Sequence, residues 1–193
     1  MAQARIAFEL VASQWGAPAD EVAAAYADIV ARYAEPHRHY HTLEHIEDVV
    51  AHVDGTEVEL AAWYHDIIYD TSASDSEARS AVYAGEALTA LGAPADVVHE
   101  VRRLILLTAG HSATDDDANG QMLIRADLAI LSAEPDRYDR YARDVRAEYA
   151  HVDDESWRAG RAAVLQSLLA ITPDEQARSN ITRELSRLSV PQP

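Results

Sequence analysis

The chain has 193 residues, enough for one compact domain with a substantial core, and we expect a single domain over residues 1–193. It contains no cysteine, which excludes disulfides, thiolate metal sites and cysteine nucleophiles, so any metal must be bound by His, Asp or Glu. The net charge of −17 argues against polymeric nucleic acid and anionic membranes as partners, whereas a small phosphorylated substrate fits a pocket in which a bound dication reverses the local field.

The N-terminal segment lacks the features of a secretory signal, because its short apolar stretch is interrupted by Glu9 and no small-residue cleavage site follows. No segment approaches the roughly 18 consecutive apolar residues of a membrane span. These features predict a soluble, cytoplasmic protein. The sequence contains no signal for the oligomeric state.

The chain carries helix signals along nearly its whole length. Apolar residues recur at helical spacing, and most of the seven glycines and seven prolines fall between these stretches. No strand pattern is present, so we predict an all-α fold of about ten helices. In chain order, the predicted helices span about residues 2–15, 19–34, 42–53, 56–69, 74–91, 94–108, 121–132, 135–151, 154–171 and 173–188.

Three helix starts are predicted from capping residues. Thr42 can cap the third helix, and Thr56 with Glu59 forms a capping-box pattern at the start of the fourth. Ser74 with Glu77 repeats that pattern at the start of the fifth. The local signals therefore agree with the apolar spacing.

Histidines cluster in one segment, because five of the nine lie between positions 37 and 52. His41 and His45 are spaced i and i+4 around the start of a predicted helix, so their side chains can point at one site. A solvated polar helix start would explain the same pattern.

A second candidate is the adjacent pair His65 and Asp66, predicted to lie inside the most apolar part of a helix. Such a dipeptide is a weak motif by itself. Its neighbours are aromatic and branched apolar residues, however, so the carboxylate would be partly buried, and burying a charge is costly unless it is paired or bound to a cation. A metal ion would satisfy both residues.

Asp127 is a third candidate, because its carboxylate would also be partly buried. It lies between Ala126 and Leu128 in a predicted helix made mainly of core residues. A salt bridge is the alternative, but Arg125 is a poor partner because residues two apart on a helix point to nearly opposite sides. Three predicted helices thus each carry a residue that is difficult to bury alone. Convergence on one divalent cation would resolve all three cases.

These motifs resemble the HD superfamily of metal-dependent phosphohydrolases, in which a His, an adjacent His-Asp pair and a distant Asp bind the metal. The resemblance implies that His45, His65, Asp66 and Asp127 are the ligands. The segment YHTLEHIEDVV is also similar to the YHNxxHaxxV signature of cyclic-nucleotide phosphodiesterases, in which the first His is the proton donor. The implied donor is His41.

The chain is also similar to a bacterial group of predicted HD-superfamily phosphohydrolases over about residues 33–165, with further helices on both sides. The shared motifs are YHTLEHI, AAWYHDIIYD, SEARSA, LILLTAGH, ADLAIL, VRAEY and GR. Ser76 stands where the group usually has Asn, so no role is assigned to it. The resemblance implies a single HD-type helical domain and names no substrate.

The chemistry of such a site predicts a hydrolase of a nucleotide or another small phosphate ester, acting through metal-activated hydroxide. Asp127 could also orient the attacking water, and His41 would protonate the leaving group. Nitrogen and oxygen ligands leave Mn, Fe, Co, Ni, Zn and Mg as candidates for the metal.

Three further residues, His111, Glu77 and Arg38, could contact a second metal or the phosphate. A surface or capping role fits His111 as well, and we expect Arg146 and Arg161 to form structural ion pairs. Two other functions fit the same ligands. One is a di-iron oxygenase, which needs additional His ligands, and the other is a non-catalytic nucleotide-binding sensor.

Overall fold

A computed structural model describes residues 2–190 of the chain. These residues form ten α-helices and two short 3₁₀ helices and contain no strand, so the predicted all-α fold is confirmed. The helices are α1 (Ala2–Ala12), α2 (Ala19–Tyr33), α3 (Leu43–Val50), α4 (Thr56–Tyr64), α5 (Ser76–Ala90), α6 (Ala95–Thr108), α7 (Ala118–Asp127), α8 (Pro135–Glu148), α9 (Asp154–Ile171) and α10 (Glu175–Leu188). The 3₁₀ helices are Ser13–Trp15 and Leu128–Ser132. Among the described helices, none has the length and apolar character needed to cross a membrane.

The backbone divides into two compact units, one ending at Asp127 and the other beginning at Leu128. The first unit contains α1 to α7, and the second contains the later 3₁₀ helix and α8 to α10. The expected single domain over residues 1–193 stays a prediction.

Helix α4 lies at the centre of the first unit, where it packs against α1, α3, α5, α6 and α7. Val58 and every residue over 60–64 are buried. A helix with neighbours on all sides is apolar all round rather than on one face. Because α4 packs against five other helices, the start of the turn that follows it is held in place.

Helix α4 ends at Tyr64, five residues before the predicted end at Tyr69. His65 and Asp66 therefore lie in the turn that follows the helix, and the prediction that they lie inside it is wrong. This difference matters because a turn can direct two adjacent side chains to one point, whereas adjacent residues on a helix diverge by about 100°.

Two side chains from other helices end α4. In a continuing helix the Trp63 carbonyl would accept the Ile67 amide, but the Tyr33 hydroxyl donates to it at 3.0 Å. The Ile68 amide donates to Ser80 Oγ at 3.0 Å instead of to a helix carbonyl. Both contacts join residues distant in sequence, so local patterns could not predict them.

The predicted capping boxes are also displaced. Gly55 is the residue before α4, with a φ of 94° that glycine adopts without strain, so Thr56 is the first helical residue rather than the cap. Asp75 rather than Ser74 precedes α5. Thr42 does precede α3 as predicted, although its side chain makes no capping hydrogen bond.

The second unit contains a buried ion pair between Arg161 Nε and Glu184 Oε1, which are 2.8 Å apart. The Tyr138 hydroxyl donates to the other carboxylate oxygen of Glu184 at 2.6 Å. Arg146 pairs with Asp154 at 2.8 Å. The predicted structural ion pairs of the two arginines are confirmed.

Candidate metal centre

The predicted ligands meet at one place in the first unit. Helix α3 carries His45, the turn after α4 carries His65 and Asp66, and α7 ends at Asp127. Each residue lies near the end of its element, where the backbone changes direction. The structure thus brings together residues that are separated by up to 82 positions in the sequence.

The ligand atoms lie at distances suited to a single ion. Asp127 Oδ1 is 3.3 Å from His45 Nε2 and 3.5 Å from His65 Nε2, and Asp66 Oδ2 is 3.1 Å from His65 Nε2. Atoms about 2.1 Å from one cation lie roughly 3.0 to 3.4 Å apart in octahedral or tetrahedral geometry, close to these separations. The group formed by His45, His65 and Asp127 could therefore hold a metal ion, and Asp66 lies beside this group without being part of it.

The two imidazoles are buried, with side-chain exposures of 4% for His45 and 1% for His65. Among the described residues, neither Nε2 atom has a hydrogen-bond partner. Buried polar atoms without a partner are rare in folded proteins, because leaving one unsatisfied costs about 1 to 3 kcal/mol. A cation is the kind of group that would satisfy both nitrogens.

The orientation of His65 also fits a ligand. Its Nδ1 lies 3.0 Å from the Ala62 carbonyl oxygen, which can only accept, so Nδ1 carries a hydrogen. In the neutral ring, Nε2 then has the free electron pair and faces Asp127. Metal-binding histidines are commonly oriented by such a hydrogen bond on the opposite nitrogen.

The electrostatics of the cluster favour positive charge. Burial by itself would raise the pKa of Asp127, but the imidazoles of His111, His45 and His65 hold that pKa well below its usual value. The pKa of Asp66 is lowered in the same way against its burial, mainly by His65. Burial opposes a charge on His65, yet the two carboxylates raise its pKa well above the usual value. Both carboxylates therefore stay ionised at neutral pH.

His41 lies at the rim of the cluster rather than among the ligands. Its Nε2 is 4.0 Å from Asp66 Oδ2, and 21% of its side chain is exposed. The ring stacks on Tyr69 with centroids 4.2 Å apart, and the edge contact with Tyr40 has centroids 4.9 Å apart. A residue in this position can reach a bound molecule from the solvent side.

His111 approaches the opposite side of the Asp127 carboxylate, with its Nε2 3.3 Å from Oδ2. Its φ is 45°, and no other described residue except glycine has a positive φ. Holding a non-glycine residue in this left-handed region costs about 1 to 2 kcal/mol, and such strain is concentrated at functional sites. Asp127 thus has imidazoles against both of its oxygens.

Comparisons of the chain with family models, with curated proteins and with solved structures find no match.

Two of the predicted contact residues make no side-chain contact with the candidate ligands among the described residues. Glu77 is partly buried in the first turn of α5, and no hydrogen bond or ion pair between described residues joins it to the cluster, so its role stays a prediction. The side chain of Arg38 has no exposed surface; its Nη donors are directed at backbone carbonyls and its Nε at the Glu35 carboxylate. Arg38 is consequently not available to a phosphate group, in contrast to the predicted contact.

Sequence reasoning missed two residues that shape the site. Ser80 is fully buried, and its hydroxyl bonds both the amide and the carbonyl of Ile68. Tyr69 supports the ring of His41. Its position three residues after the His-Asp pair is a weak signal for a contact with the site. Nothing in the sequence distinguishes Ser80 from other helical serines.

Proposed function

We propose that the chain is an HD-type metal-dependent phosphohydrolase acting on a nucleotide or another small phosphate ester. The observation that carries this proposal is the pair of buried Nε2 atoms, on His45 and His65, that face the Asp127 carboxylate and have no hydrogen-bond partner in the described part of the chain. Two imidazoles and two ionised carboxylates form a set of donors typical of catalytic divalent metals.

His45, His65, Asp66 and Asp127 would hold the metal. Nitrogen and oxygen donors suit Mn, Fe, Co, Ni, Zn or Mg. A dication bound there would lower the pKa of a coordinated water and polarise a phosphoryl oxygen.

The remaining chemistry belongs to side chains of the protein. Water adds to phosphorus and releases one proton to solvent, the bond to the leaving oxygen breaks, and that oxygen takes a proton from His41 at the rim of the site, which solvent then restores to His41. A histidine suits this step because it can hold and release a proton near neutral pH. Asp127 can accept a hydrogen bond from the attacking water and so orient it.

The experiment is metal analysis of protein purified without chelator, followed by a phosphate-release screen over nucleotides and simple esters. We expect at least one divalent ion per chain. Phosphate release should be abolished by EDTA and restored by added Mn or Co. His99→Ala, which alters an exposed histidine of α6, is the matched control and should behave as wild type. Activity that resists chelation would overturn the proposal. Bound metal and nucleotide without any turnover would favour a non-catalytic sensor.

A di-iron oxygenase is the second candidate, favoured by one observation. Asp127 presents Oδ1 to His45 and His65 but Oδ2 to His111, so a second ion could lie between the carboxylate and His111. This function requires two irons per chain and substrate-dependent consumption of oxygen. Anaerobic turnover with a single bound ion would exclude it.

A further inference from the structure

Arg38 connects the two segments that carry the proton donor and a metal ligand. It lies between α2 and α3, three residues before His41. Its Nη1 donates to the His41 carbonyl at 3.1 Å and to the Asp66 carbonyl at 2.8 Å, and its Nη2 donates to the Ile67 carbonyl at 3.1 Å. One side chain thus bonds both the segment before α3 and the turn after α4.

The surroundings of the guanidinium hold it in one orientation. Its Nε donates to Glu35 at 3.1 Å, which supplies the opposite charge. The rings of Tyr33 and Tyr69 lie 5.0 and 5.4 Å from the guanidinium carbon. Because none of the side chain is exposed, it is shielded from solvent and from the phosphate of a substrate.

The geometry requires arginine in particular. Three carbonyls and one carboxylate are bonded by donors that point in fixed directions from a planar group. A lysine ammonium is a single point on a flexible chain and cannot reach all of these acceptors from one place. Lysine would therefore keep the positive charge while losing the connection between the two segments.

We propose that Arg38 is a positioning residue that sets where His41 stands relative to Asp66, and so aims the proton donor at the leaving group. The proposal rests on the proposed phosphohydrolase function. His41 Nε2 lies 4.0 Å from Asp66 Oδ2, and Arg38 bonds the backbone of both residues. A shift of about 1 Å in a catalytic group can lower the rate on the order of 10²-fold.

The test is a cycle of Arg38→Lys, His41→Ala and the double variant, assayed at saturating metal with an alkyl phosphate and a nitrophenyl phosphate. With the alkyl ester, Arg38→Lys should lower kcat by roughly 10- to 100-fold with little change in KM. With the nitrophenyl ester the loss should be much smaller, because that leaving group departs without a proton. In the His41→Ala background, Arg38→Lys should cost less than about twofold, since the two residues act as one unit.

The controls separate positioning from general damage to the fold. Arg32→Lys changes an arginine that pairs with Asp28 at 3.0 Å on α2, and it should leave kcat unchanged for both esters. If Arg38→Lys does not fold, Glu35→Gln is the second variant. Glu35 is partly exposed, and the change removes the negative charge that holds the Arg38 guanidinium. It should give a smaller kcat loss with the same dependence on the leaving group.

Two results would overturn the proposal. One is an equal kcat loss for both esters, and the other is an undiminished loss when His41 is already absent. Either would show that Arg38 acts on the fold or the metal instead of on the donor. If the wild type shows no metal-dependent phosphate release, the proposed function fails and this role fails with it. If the wild type is active and Arg38→Lys lowers kcat equally for both esters, the proposed function stands and only the positioning role of Arg38 is wrong.

Discussion

The two histidines at i and i+4 in the YHTLEHI motif occupy different environments. His45 is 4% exposed and lies among the candidate ligands, whereas His41 is 21% exposed and lies beside them. Their spacing by one helical turn brings both to the site, but only burial and the distances to Asp127 and Asp66 distinguish them. The contrast supports a ligand role for His45 and a donor role for His41.

We therefore expect His45→Ala to lose both metal and activity, because it removes a ligand. His41→Ala should retain its metal and lose rate by about 10²- to 10⁴-fold, the usual contribution of a positioned general acid. Metal analysis of both variants, with kcat on alkyl and nitrophenyl esters, measures this difference. An exchange of the two phenotypes would reverse the roles. Full metal and full activity in both would leave the segment as a solvated helix start.

Metal binding should release protons near pH 7. The pKa of His65 is raised well above its usual value, so its ring holds a proton in the metal-free protein, and a ligand must lose that proton. Calorimetric titration with Mn in buffers of different ionisation enthalpy should show a net release of about one proton per ion. Apparent affinity should rise with pH and level off once pH exceeds the raised pKa of His65. A binding enthalpy independent of the buffer would contradict this.

At the scale of elements, the early end of α4 determines the site. The Tyr33 hydroxyl donates to the Trp63 carbonyl, and the Ile68 amide donates to the Ser80 hydroxyl. These bonds replace bonds of a continuing helix, so the helix ends just before His65. The His65-Asp66 pair thus lies in a turn whose position depends on Tyr33 and Ser80, which are distant in the sequence.

Tyr33→Phe should destabilise the fold by about 1 to 2 kcal/mol, because it removes the donor to a buried carbonyl while keeping the ring. Denaturant unfolding of the metal-free protein gives the value. Tyr26→Phe is the matched control, since Tyr26 is also buried in the first unit and its hydroxyl makes no hydrogen bond among the described residues. Equal stability of the two variants would show that the Trp63 carbonyl finds another partner.

At the scale of the whole molecule, the net charge of −17 makes the protein a better host for cations than for anions. The cluster brings the ionised carboxylates of Asp66 and Asp127 close together in a partly buried place, where their negative charges repel each other. A bound dication removes that repulsion, so occupancy of the site should affect the stability of the fold.

EDTA should therefore lower the thermal midpoint, since a ligand at 100 times its dissociation constant stabilises the native state by about 2.7 kcal/mol. Differential scanning calorimetry with and without chelator measures the shift. His45→Ala should show no shift, because its site cannot be filled. A wild-type midpoint that is insensitive to both EDTA and added Mn would argue against a metal centre.

The sequence by itself determined the all-α class, most of the helix positions and the order of the candidate ligands. These properties depend on apolar spacing and on Gly and Pro, which act over a few neighbouring residues. Only the tertiary structure decided where α4 ends, that Arg38 is buried and that His111 reaches Asp127. Each of these results depends on contacts between residues distant in the chain, such as Tyr33 with Trp63 and Arg38 with Asp66. No local pattern records such contacts, because the partner that satisfies a carbonyl or a charge is chosen only when the helices pack.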